Sequence, residues 1–471
     1  MNAEIIVLGR VFMLCKFRRF CATPFFLLII LLISMIGILG GSWALLPSMI
    51  FLVQIVALLL FVCDDLLPAF LPVFCIITLG ATNLASLNDF VPYIPVTVTV
   101  VAGLIFHLIR YRRPLYIGKS LYGLVATSIA ILLSGMATPL SSRDYSSLAA
   151  IYHVVGLSVG LILLYFLFAS NRRENREYDP IKFFLLSMFF LGLLSSVVIF
   201  SEFLGWFIPH REEILSDAPF WATEYLNTFT YRNTIAPLLV MCFPSAFYLA
   251  KTMKRVVSQL LFLLFGIFFF IMLILSAART AWICGTLLLF ICLAYYLYKN
   301  PRRAGKYLCT LLIFAGALIL LQLFREPLSS IALSRISQGF ISDDEPRLQS
   351  LSRSVQDFLA YPLFGIGISS TANADIYSAP GCISWYHMYF PQLWGSMGLL
   401  GVGTYMYQLF IRAKLILTKP TAESTALGFV YLGLFLYSQT DVGEFTPIPF
   451  VVIALIVFVL LEDKVRRLSK S

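Results

Sequence analysis

The chain has 471 residues, of which 60% are hydrophobic and only 12% charged, with a formal net charge of +10. A soluble protein of that size has no interior large enough for so much apolar surface, whereas a bilayer removes the need for one. The apolar runs are about 20 residues long and lack the alternation of barrel strands, and backbone in hydrocarbon must satisfy its own hydrogen bonds, so they are helices.

The first run, Phe25 to Leu46, follows Arg10, Lys16, Arg18 and Arg19 and has no small-residue cleavage site after it, so it reads as a signal anchor. In chain order the pattern predicts fourteen spans, over 24–41, 43–62, 66–82, 91–109, 116–137, 148–169, 181–205, 233–250, 256–276, 280–298, 307–323, 388–411, 426–439 and 447–461. The expected fold class is an all-α polytopic membrane protein. Its parts are N-terminal spans (1–205), central spans with a first exterior loop (206–323), a long exterior loop (324–387) and C-terminal spans (388–471). With both termini in the cytoplasm, 26 of the 34 Lys and Arg residues fall in interior segments, Arg412, Lys414 and Lys419 among them. The basic excess is therefore a topology signal and not a nucleic-acid footprint. The eight exterior exceptions, Arg143, Arg211, Arg232, Arg279, Arg325, Arg335, Arg347 and Arg353, are all arginine, whose planar fork grips phosphate oxygens in pairs.

Two exterior segments are long, about Trp206 to Arg232 and about Arg325 to His387, and such loops are usually functional or disordered. In the second, Leu348, Leu351, Val355, Phe358 and Leu359 recur at helical spacing, and Pro362 and Gly365 close the run. An amphipathic helix is expected there, turning Arg347 inward, with Arg353 and Asp357 as an exposed ion pair on its far side. Of the nine cysteines only Cys382 is clearly exterior, so no exterior intramolecular disulfide is expected.

Three exterior residues are the catalytic candidates. Arg279 lies in Ser276-Ala277-Ala278-Arg279-Thr280-Ala281-Trp282 at the junction of two spans, Arg347 begins the loop helix, and His387 stands where the loop re-enters the membrane. Two fixed cations beside an imidazole suit a lipid-linked pyrophosphate: the arginines offset charge on the leaving phosphate, and the histidine takes a proton from an attacking hydroxyl. Each has a plainer reading. Arg279 can be a snorkelling interfacial charge, Arg347 a surface charge, and His387 a structural histidine, as His107, His153 and His210 are taken to be. The acidic run Asp343-Asp344-Glu345 reads as solvated and not as a metal site. Trp206, Trp221, Tyr225, Tyr231, Trp385 and Tyr386 fit an interfacial belt better than sugar stacking.

From about Asn227 to Gly401 these motifs resemble the O-antigen ligase and Wzy-type polymerase superfamily of bacterial surface-glycan assembly. The matching blocks are Asn227-Thr228-Phe229-Thr230-Tyr231-Arg232-Asn233, the Ser-x-x-Arg-x-x-Trp turn at Ser276–Trp282, Arg347 fifteen residues before Pro362-Leu363-Phe364-Gly365-Ile366-Gly367, and His387 before Gly398-Leu399-Leu400-Gly401. The resemblance implies a GT-C-like, metal-independent, inverting glycosyltransferase without a cofactor. Its donor would be an undecaprenyl-pyrophosphate-linked oligosaccharide and its acceptor a growing glycan or a lipid. It would be embedded in the bacterial cell membrane with the site outside, and a chain-length regulator or flippase would be a protein partner. Arg279 and Arg347 would bind pyrophosphate and His387 would be the general base, with Arg232, Asn233 and Tyr389 as further substrate-binding candidates. Met388 stands where the family usually has Asn, and Leu351 where it usually has Trp. Polymerase is preferred to ligase. The rival class is a transporter or flippase of lipid-linked oligosaccharide, against which stand the absence of an internal repeat and the candidate site in the longest exterior loop.

Overall fold

The computed structural model describes residues 16–83, 94–139, 153–171, 178–214, 225, 229, 232–298, 344–368, 370, 386–441 and 443–470. The regular elements among them are helices: α1 (Pro24–Leu39), α2 (Ser42–Val62), α3 (Phe70–Asn83), α4 (Ile94–Arg110), α5 (Lys119–Leu133), α6 (Leu161–Ser170), α7 (Pro180–Phe207), α8 (Arg232–Thr252), α9 (Val256–Leu275), α10 (Arg279–Tyr298), α11 (Asp344–Ala360), α12 (Tyr389–Leu417), α13 (Ala422–Ser438) and α14 (Val452–Lys470). Six are long and apolar enough to cross a membrane on their own: α2, the stretch His153–Ser170 that ends in α6, α7, α8, α9 and α10. The predicted span over 307–323 lies outside the described residues, as do Cys382 and the side chains of Asp343, Asp344 and Glu345.

Local sequence sets several helix starts. Thr23 caps α1, its hydroxyl accepting from the Phe26 amide at 3.3 Å ahead of Pro24 in the first turn. Asp179 does the same for α7, accepting from Ile181 and Lys182 at 3.0 and 3.2 Å with Pro180 next to it. Thr421 and Ser424 form a reciprocal capping box at α13.

α8 is the central pillar. It packs on α7, α9, α10 and α13, and 89% of its most apolar window is buried within the protein. A helix apolar all round belongs inside a bundle. Its internal prolines, Pro237 and Pro244, are buried there too, where neighbouring helices accommodate the interrupted ladder. Lipid tails are as apolar as leucine, so the bundle is held by close packing and polar contacts and not by hydrophobic drive between helices.

The site depends on a break in α12. Gly398 has φ +62° and ψ −157°, which interrupts the helix. The Pro362–Gly367 segment is laid into the breach. The Leu399 and Leu400 amides donate to the Pro362 and Leu363 carbonyls at 2.8 and 3.2 Å, and the Ile366 and Gly367 amides donate to Gly395 and Ser396 at 3.0 and 2.9 Å. A Cβ on Gly398 would stand 2.6 Å from the Pro362 oxygen, and one on Gly365 2.3 Å from the Ser396 carbonyl carbon. Both glycines also hold a left-handed φ, so no other residue fits either place. The amide of Gly135, just past α5, donates to Phe364 at 2.9 Å and ties a third element to the same point.

Three expectations are corrected. The loop helix exists as α11, but its packed face is not the leucine stripe. Ser350, Ser354 and Asp357 are buried against α12, with Trp394 Nε1 donating to Ser354 at 2.9 Å and the Tyr386 hydroxyl donating to Asp357 at 2.7 Å. Leu348, Val355 and Leu359 face outward, 65%, 42% and 72% exposed. Next to lipid, apolar side chains need not be turned in, and small polar ones allow close approach with hydrogen bonds. The Arg353–Asp357 pair forms at 3.3 Å, but its acid is buried, not exposed. Arg412, counted above with interior loop charges, lies within α12 and is paired with Glu444 at 2.9 Å, the two side chains 6% and 1% exposed.

Candidate active site

The turn between α9 and α10 sets Arg279. Ser276 accepts from the Ala278 amide at 3.4 Å and donates to the Leu273 carbonyl at 2.6 Å, Ala277 takes φ +56°, and Trp282 Nε1 reaches back to the Ile274 carbonyl at 3.0 Å. The Tyr225 hydroxyl donates to the last carbonyl of α9, Leu275, at 2.7 Å. Serine, small residues and tryptophan are thus the means of turning sharply between two spans, and the turn delivers a half-buried Arg279 as the first residue of α10.

Arg232 is likewise the first residue of α8 and half-buried, with Nη1 donating to the Phe229 carbonyl at 3.1 Å. Arg279 begins α10, which packs on α8. The backbone of Arg347 lies in the first turn of α11, one turn ahead of Ser350, while its side chain is outside the described atoms. Of the three, Arg279 follows a described turn and opens its helix outright. A helix start already carries unpaired amides and a partial positive charge, so a cation placed there is unfavourable until an anion binds.

His387 is fixed by its neighbour. The Tyr386 amide donates to Gln392 at 3.0 Å, its hydroxyl to Asp357, and its ring lies so close to Gly395 that a Cβ there would meet it at 2.7 Å. His387 then takes φ +53°, a left-handed conformation that a residue with a Cβ seldom adopts. Its Nδ1 stands 3.7 Å from Asp441 Oδ1, longer than a hydrogen bond, with the two side chains 30% and 18% exposed. Asp441 accepts from the Tyr437 hydroxyl at 2.9 Å, and that hydroxyl also lies 3.4 Å from the Asn233 carbonyl oxygen. Thr440 donates to Thr280, the residue after Arg279, at 3.0 Å.

The 440–441 turn therefore joins the starts of α8, α10 and α12, bringing Arg232, Asn233, Arg279 and His387 to one end of the bundle. Non-glycine backbone strain clusters there as well. Among the described residues three such positions have a left-handed φ, and two of them are Ala277 and His387. Tyr389 is placed differently. It is fully buried among Phe390, Tyr405, Phe435 and Phe445, packing behind the histidine and not lining an open site. Trp206, Tyr225 and Tyr386 are core side chains too, 4%, 1% and 2% exposed, so they form neither a belt nor a sugar platform. Sequence reasoning missed Asp441, because a positive-inside reading attends to basic residues and passes over a short turn that holds acids.

Fold and site together define an all-α polytopic membrane protein with an arginine- and histidine-bearing polar end. Residues 261–406 match the family model described as O-antigen ligase, and this stretch carries Arg279, Arg347 and His387. The chain thus contains the domain of a membrane enzyme of surface-glycan assembly. No curated protein and no solved structure matches it.

Proposed function

We propose that the protein is a glycosyltransferase that elongates a cell-surface polysaccharide from an undecaprenyl-pyrophosphate-linked oligosaccharide donor, working on the exterior face of the cell membrane. The observation that carries this is His387, held in a strained backbone conformation beside Asp441 at the end of the bundle where Arg232 and Arg279 lie at the N-terminal ends of α8 and α10. His387 takes the proton from the acceptor hydroxyl as its oxygen attacks the anomeric carbon. The bond from that carbon to the pyrophosphate oxygen breaks, and the leaving pyrophosphate keeps the electron pair. Arg232, Arg279 and Arg347 offset its charge. Asp441 steadies the imidazole and offsets the positive charge it acquires. A single displacement of this kind inverts the anomeric carbon and needs neither metal nor nucleotide sugar. Polymerisation is preferred to ligation because nothing in the site points to a particular lipid acceptor.

The test compares wild type with His387→Ala at matched membrane levels in the native host, with the surface polysaccharide run on a gel. Loss of a general base lowers the rate about a hundredfold or more. Long glycan should vanish while short lipid-linked units build up in the outer leaflet. Unchanged glycan would make His387 structural, and build-up in the inner leaflet would point to a transporter instead.

A further inference from the structure

At the opposite end of the bundle lies a cavity of a different character. α5 runs from Gly135 at the α12 break down to Lys119, about 22 Å at the helical rise. Just before Lys119, the Tyr116 amide donates to Ser170 at 3.0 Å. Beside that contact the lower ends of α4 and α6 enclose a space of about 610 Å³. Leu104, Leu108, Leu163 and Leu167 form its walls, and Arg112, Arg113 and Asn171 lie at its polar rim.

The rim has a definite donor and acceptor pattern. His107 Nδ1 bonds the Leu60 carbonyl at 3.1 Å, which makes it the protonated nitrogen, and Nε2 accepts from Asn171 Nδ2 at 2.8 Å. The amide of Asn171 is thereby fixed in orientation. Among the described residues its oxygen is buried without a hydrogen-bond partner, although the residue is 7% exposed and lines the cavity. A buried acceptor left unmet favours an occupant that brings a donor. Arg112 is exposed, and Arg113 keeps Asp64 at 3.8 Å. Apolar walls between two spans, arginines at the rim and one unmet acceptor beside them match a lipid with two tails, a phosphodiester and a hydroxylated headgroup.

We propose that this groove binds one anionic glycerophospholipid of the adjoining leaflet, its phosphodiester on Arg112 and Arg113 and its headgroup hydroxyl donating to Asn171 Oδ1. Phosphatidylglycerol has this chemistry. Phosphatidylcholine lacks both the net charge and the donor, and phosphatidylethanolamine has a donor without the net charge.

The full chain in mild detergent would be titrated with each lipid and its occupancy read by native mass spectrometry. Phosphatidylglycerol should bind at least about fivefold tighter than either zwitterionic lipid. Arg112→Ala, at an exposed position, should remove about fivefold of that preference. Leu163→Trp, whose side chain is 63% exposed at the wall, should lower occupancy by every lipid. Equal binding of phosphatidylglycerol and either zwitterionic lipid would overturn the proposal. So would a preference untouched by Arg112→Ala, or displacement of the lipid by glycerol 3-phosphate at equal concentration, which would leave the groove no part.

Discussion

Replacing Arg412 by methionine removes the cation from an ion pair that the bundle encloses. Arg412 Nη1 lies 3.0 and 2.9 Å from the two Glu444 oxygens and 2.8 Å from the Tyr431 hydroxyl, and the guanidinium sits over the Tyr431 and Phe458 rings at 4.9 and 5.2 Å. Glu444 is 1% exposed at its side chain, so in Arg412→Met its charge keeps the Tyr431 hydroxyl but loses its cation with no water to replace it. Breaking such a pair from one side costs about 3–5 kcal/mol. Replacing both members with apolar residues costs little or stabilises, so Arg412→Met with Glu444→Leu should return to within about 1 kcal/mol of the starting protein or exceed it. Equilibrium unfolding in mixed micelles, with rising dodecyl sulfate, measures both. Glu444 follows Asp441 by three residues, so the single variant should also lose long glycan and the double variant should recover it. A single variant within about 1 kcal/mol of wild type would refute the reasoning, as would a double variant as unstable as the single one.

Gly398→Ala puts a Cβ 2.6 Å from the Pro362 oxygen at φ +62°. It should lower stability by about 2 kcal/mol or more, and an unchanged thermal midpoint would dismiss the wedge as a packing constraint. Asp441→Asn keeps the shape of the turn but removes the charge beside His387. It should lower kcat about tenfold or more with a synthetic lipid-linked donor while leaving KM nearly intact; a rise in KM alone would make Asp441 a substrate contact instead. Arg279→Lys should raise KM for that donor, because a point charge does not replace a two-pronged fork, and normal kinetics would count against phosphate binding there.

Much of this arrangement was legible in the residues. Hydropathy gives the spans, and charge asymmetry puts Arg232, Arg279 and His387 on one side, which is where the structure gathers them. The loop helix was readable from its spacing, yet its orientation was not. Leu348, Val355 and Leu359 would mark a buried face by the habits of soluble proteins, but here Ser350, Ser354 and Asp357 take that place. Arg412 looked like a loop charge because its partner Glu444 is 32 residues away across another span. Asp441 was hidden for a related reason: its value comes from contacts with Tyr437 and His387, and only the latter had attracted notice.

The glycine-lined breach in α12 has a further consequence. The Pro362–Gly367 segment that fills it runs on directly from α11, and Tyr386 ties that helix to α12 a second time just before the histidine, so α11, the breach and His387 form one connected unit. A substitution on α11 that loosens its seat on α12 is therefore felt at the histidine as a displacement and not as a lost contact.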